Sequence, residues 1–131
     1  MTRLLVMVLL AQLCASAGDD KYAPLPDKIV AAKTVFLINE TGEPKLGDAV
    51  YRQIETWNRW QIVTDKTKAD LVLTVHSKTR TLAPGPFYLS LSDAKSGEQL
   101  WTSGTTMQGK LWRTWNAIAK DLVADIRKRV K

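Results

Sequence analysis

An α+β fold in two layers is what this chain predicts: a mixed sheet of about five strands with two helices on one face, in the order β-α-β-β-β-β-α. Three observations carry it. From Leu71 to His76 the odd positions are apolar and the later even ones polar, and Phe87, Leu89 and Leu91 repeat the same period of two, which marks strands with one buried face. Lys45 to Asn58 and Leu111 to Val130 instead space their apolar residues three and four apart, one stripe along a helix. Helices and strands that are apolar on one side satisfy each other by stacking, and 131 residues suit a single core.

The chain opens with Met-Thr-Arg, an apolar run from Leu4 to Leu10 and an Ala15-Ser16-Ala17 end. Positive charge, a short apolar stretch and a small-x-small end predict a secretory signal peptide over residues 1–17, cleaved after Ala17 or Gly18, its apolar run too short to anchor in a bilayer. A periplasmic or secreted protein with no transmembrane segment in its mature chain is therefore expected. The single cysteine, Cys14, follows Gln12 and Leu13 rather than the small residues that lipid attachment requires. Without other cysteines the exported domain is held by its core alone.

Residues 18–33 are polar at first and contain Pro24 and Pro26, which predicts an extended tether joining the domain near Ile29. The domain itself is expected over 34–131. Thr34 to Ile38, all apolar or β-branched, is the first strand and belongs inside the sheet; Asn39 to Pro44 turns the chain. In the first helix Leu46, Ala49, Val50, Ile54 and Trp57 form the stripe. Trp60 to Thr64 is a short strand, and strand, helix, strand implies a right-handed crossover with parallel ends. Asp65 to Lys68 is a solvated connection, and Leu82-Ala83-Pro84-Gly85-Pro86 breaks the sheet between the central strand and a hairpin. In the hairpin loop Gly97 can take the left-handed conformation that other residues adopt only at a cost. After the polar Thr102 to Gly109 comes the closing helix, with Trp115, Ile118, Leu122, Ile126 and Val130 on its stripe and Arg127, Lys128, Arg129 and Lys131 offsetting its last carbonyls.

Pairing Asp93 with Glu98 across the hairpin predicts Leu91 opposite Leu100 and Ser90 opposite Trp101. Leu89, Leu91 and Leu100 then face the helices. Tyr88 and Trp101 face the other way beside Ser90, Ser92 and Gln99, and His76 joins them. Aromatic rings on an otherwise polar sheet face suit contact with a sugar, a peptide or another subunit; the plainer reading has Trp101 covering polar neighbours or the tether.

Catalytic signatures are sparse. There is one histidine, no His-x-x-x-His spacing and no cysteine after the signal segment, which argues against a zinc site. No serine lies in a Gly-x-Ser-x-Gly elbow and no glycine-rich phosphate loop occurs, so neither a cofactor nor a metal is expected. Asp65 and Asp70 are the one candidate acid/base pair, for a small hydrolase, although Asp beside a turn commonly caps its own backbone. The net charge of +6 favours anionic surfaces. The cluster Arg127, Lys128, Arg129 and Lys131 accordingly reads either as a helix terminus or as an electrostatic binder of anionic envelope polymer; export argues against nucleic acid. Five tryptophans suit the rim of a small core, Trp57 and Trp115 inside it and Trp112 least committed.

Ala69-Asp70-Leu71-Val72-Leu73 after a helix and short strand, then Leu89-Ser90-Leu91-Ser92-Asp93-Ala94-Lys95-Ser96-Gly97-Glu98-Gln99-Leu100-Trp101 and a closing helix, resembles small exported bacterial α/β domains of unknown function. It also resembles the anticodon-binding-like fold of the TolB amino-terminal domain and of lipoproteins that assist envelope assembly, over most of the chain from Thr34. The resemblance implies a noncatalytic binding or assembly module of the bacterial cell envelope, with an envelope protein or cell-wall component as partner. Its motifs are structural, so no catalytic residue is carried over.

Overall fold

The computed structural model describes residues 25–78, 86–104 and 114–130. The signal peptide with Cys14, residues 18–24 of the tether, Leu82 to Gly85 of the central loop, residues 105–109, Leu111 and Trp112 before the closing helix, and Lys131 lie outside them. The elements are α1 (Asp27–Ala31), β1 (Thr34–Asn39), α2 (Pro44–Trp57), β2 (Gln61–Ile62), a 3-10 turn (Lys66–Lys68), β3 (Leu71–Ser77), β4 (Phe87–Asp93), β5 (Gln99–Thr102) and α3 (Trp115–Arg129). The sheet runs β2-β1-β3-β4-β5. Its first three strands are parallel and β3-β4-β5 antiparallel, so the expected mixed α+β architecture is present.

Side-chain alternation places the core. Val35, Leu71, Leu73, Val75, Leu89 and Leu91 point to one side and are fully buried against Leu46, Val50 and Ile54 of α2 and Ile118, Leu122 and Ile126 of α3. Each such side chain contributes about 1.5–3 kcal/mol when taken out of water. Pro44 starts α2 at the position where its missing N–H costs nothing, and Asn58, left-handed at φ 59°, ends it. Thr114 caps α3 by accepting from the Ala117 N–H at 3.2 Å.

The expected tether is replaced, from Leu25 onward, by folded chain. Pro26 supplies the carbonyl that starts α1, accepting from the Ile29 N–H at 3.0 Å, and Leu25, Ile29 and Ala32 pack into the core. Their spacing of four and three is itself a short helical stripe, which the two prolines obscured. Three contacts pin the segment: Lys28 Nζ to Asp93 at 3.1 Å, Arg59 Nη2 to the Val30 carbonyl at 3.0 Å, and the Lys33 N–H to Asp70 at 2.9 Å.

The hairpin register also differs. Asp93 N–H still donates to the Glu98 carbonyl at 2.8 Å and Gly97 is left-handed at φ 76°. Beyond Ser92–Gln99, however, Leu91 pairs with Trp101 and Ser90 with Thr102, leaving Leu100 as the extra residue of a β-bulge. One inserted residue inverts a period of two. Trp101 therefore lies on the helix side with Leu91, packed against the core, with the Arg129 guanidinium of α3 5.8 Å from its ring centre.

Candidate functional site

The second sheet face is built by the even positions of β3 and their cross-strand partners: Phe36 opposite Val72, Ile38 opposite Thr74, Ser90 opposite Thr74, and Tyr88 opposite His76. None of these side chains belongs to the helix-covered core cluster. Val72, Thr74 and Ser90 are nonetheless buried, with the larger Phe36, Ile38, His76 and Tyr88 standing around them.

His76 is the centre of this face. Its ring stacks on Tyr88 at 4.6 Å between centroids and 13° between planes. Its Nε2 lies 2.7 Å from Ser90 Oγ and its Nδ1 3.2 Å from Glu40 Oε2. A carboxylate only accepts, so the tautomer that suits Glu40 has its proton on Nδ1, and in that tautomer Nε2 accepts from the Ser90 hydroxyl. Both nitrogens are occupied and the imidazole plane is fixed. Glu40 is delivered by the turn after β1, where its N–H donates to the Val75 carbonyl at 2.9 Å. Asn39 holds that turn: Nδ2 donates to the Glu43 carbonyl at 2.8 Å, and Oδ1 accepts from the Thr41 N–H at 3.1 Å and hydroxyl at 2.6 Å.

Of the aromatic trio read from the sequence, the structure brings His76 and Tyr88 together and takes Trp101 to the opposite side. Glu40 and Ser90 were missed as partners of His76. Ser90 was legible as a face neighbour from alternation, while the clue to Glu40 was the Asn39-x-Thr41-Gly42 turn, whose side-chain hydrogen bonds repeat a common local motif.

Asp65 and Asp70 have separate duties. Asp65 accepts from the Thr67 hydroxyl at 2.7 Å and N–H at 3.0 Å, and these two bonds, the hydroxyl first, hold its carboxyl below the ordinary 3.8. Asp70 Oδ2 accepts from the Lys33 N–H and, at 3.3 Å, from the Thr34 N–H, and the Lys33 bond is the main cause of its lowered pKa. A proton donor needs its pKa raised, so both carboxyls are placed as capping anions rather than as an acid. Asp70 lines a shallow cavity with Lys28, Asp93 and Lys95, of which Asp65 forms no part. Among the described residues no group of three or more His, Cys, Asp or Glu is placed to hold a metal ion. At the end of α3 Arg127 and Lys128 are exposed, whereas Arg129 turns back to Asp125 at 3.4 Å and to Trp101. Among the described residues no helix is long and apolar enough to cross a membrane.

No family model and no curated protein matches the chain. Among solved structures it is similar to a PelC dodecamer from Paraburkholderia phytofirmans, with a TM-score of 0.49 and 18% identity over 83% of this chain and 95% of that one. A variant of the same dodecamer aligns with a TM-score of 0.47 and 17% identity over 75% of this chain and 87% of that one. Superpositions this loose say nothing of what the chain binds.

Proposed function

We propose that this chain is an exported, noncatalytic binding or assembly module of the bacterial cell envelope, acting through the β3-β4 end of its second sheet face. One observation carries the reading: the stacked His76–Tyr88 pair, with both imidazole nitrogens tied, is a rigid flat aromatic platform outside the core. Rigid aromatic area binds at low entropic cost, which is what a contact surface needs. The export-like amino terminus and the resemblance to TolB-type domains support the compartment. A photo-crosslinking amino acid in place of Tyr88, in intact cells, is expected to give a discrete adduct with an envelope component, and the same group in place of Lys95 is not. No adduct at Tyr88 beyond that at Lys95 would remove the surface.

The order Ser90 hydroxyl, His76, Glu40 favours a second reading, because nucleophile, base and orienting carboxylate follow one another in serine hydrolases. Against it, Ser90 is 4% exposed in mid-strand. A fluorophosphonate probe decides: labelling lost in Ser90→Ala supports the hydrolase, and absence of any label ends it.

A further inference from the structure

A cavity of about 480 Å³ lies at the β2 margin, two strands over from the β3 strand that carries His76. Tyr51 and Glu55, one turn apart on α2, form one wall; the bend Asn58-Arg59-Trp60 forms another; Lys33, just before β1, completes it. Its polar groups are unevenly satisfied. Arg59 spends Nη2 on the Val30 carbonyl, but its buried Nε–H has no protein acceptor. Trp60, 3% exposed and edge-on to Trp57, has a buried indole N–H with none either. Folded chains seldom leave buried donors unpaired, and here two belong to consecutive residues that both line this cavity. Lys33 adds an ammonium that forms no ion pair among the described residues.

We propose that this cavity binds a small ligand through an oxyanion group, a carboxylate or a phosphate, with Lys33 and Arg59 supplying charge and the Trp60 indole N–H a directed hydrogen bond. An acceptor oxygen is the chemistry these donors lack, and guanidinium and ammonium together favour an anionic one. Glu55, the cavity's carboxylate, accepts from hydroxyls on the remainder of the ligand, and the exposed ring of Tyr51 gives it a flat wall.

The test is a titration of the full chain, labelled with nitrogen-15 at tryptophan, with inorganic phosphate and separately with acetate, at constant ionic strength. The indole resonance of Trp60 is assigned by its loss in Trp60→Phe. A saturable downfield movement of that resonance is expected with at least one anion, and which anion produces it distinguishes phosphate from carboxylate recognition. Lys33→Gln and Arg59→Gln are each expected to weaken binding about tenfold, the loss of one charge-assisted hydrogen bond. Lys33 is exposed, so Lys33→Gln tests the proposal even where Arg59→Gln disturbs the bend. No saturable movement with either anion, or unchanged affinity in Lys33→Gln, overturns it.

Discussion

Gly47 sits inside α2, where glycine costs about 1 kcal/mol relative to alanine, and the reason is a neighbour from outside the helix. A Cβ there would stand 2.5 Å from Asn39 Nδ2 and 3.0 Å from its Cβ and Cγ. Asn39 is the residue that holds the turn carrying Glu40 to His76, so the helix backbone approaches closely to leave room for it. Gly47→Ala is expected to destabilise by about 1–3 kcal/mol despite better helix propensity. Urea denaturation checks this: the midpoint should fall with the slope unchanged, and a midpoint at or above that of the native chain would contradict it. None of this was legible in the sequence, because a stripe of apolar spacing reports which side of a helix is buried but not which single side chain presses on it. His76 was legible as an outward strand residue from alternation alone; its two polar contacts depend on partners, Ser90 and Glu40, that sequence order separates from it.

At the scale of elements, what repeats locally was legible and what depends on one residue was not. The alternation in β3 and β4 and the stripes of α2 and α3 each repeat often enough to survive an error at either end. β5 has four residues, too few to show that Leu100 is unpaired, so counting by twos past it put Trp101 on the wrong face. Trp101→Ala separates the two placements. Packed under Arg129 and against the core, the ring is expected to cost about 2–4 kcal/mol when removed, where an outward sheet aromatic would cost under about 1. Thermal and urea melts of the variant give the answer. The amino-terminal cap of α3 is a second element-scale lever: Thr114→Ala leaves the Ala117 N–H without its side-chain partner and should cost about 1 kcal/mol, with Thr114→Ser restoring most of it.

Across the whole molecule, stability should depend on pH in a direction its hydrogen bonds set. Asp65, Asp70 and Asp93 all sit below the ordinary 3.8, Asp93 chiefly through the Ser96 hydroxyl and then Lys28. A carboxyl with a lowered folded-state pKa stabilises above its unfolded value and loses that contribution as pH falls through the folded one. Lys28 is raised above 10.5, chiefly by its hydrogen bond to Asp93, so its contribution is present below 10.5 and disappears as pH rises beyond. A plateau between these limits, sloping down on the acid side below 3.8, is expected in melting temperature against pH. Asp70→Asn should shallow the acid slope; an unchanged slope would show that the carboxyl is not what is being titrated. Lys28 is exposed and Asp93 half-buried, so added salt should flatten the Lys28–Asp93 part. The sheet ends in two residues at β2 and in a kinked four at β5. Among the described residues, neither border offers a run of free amides long enough for a neighbour's backbone to splice onto. Joining such stubs end to end into fibres is therefore disfavoured among the described strands, and the contact proposed through His76 and Tyr88 would be made broadside, by the flat of the sheet.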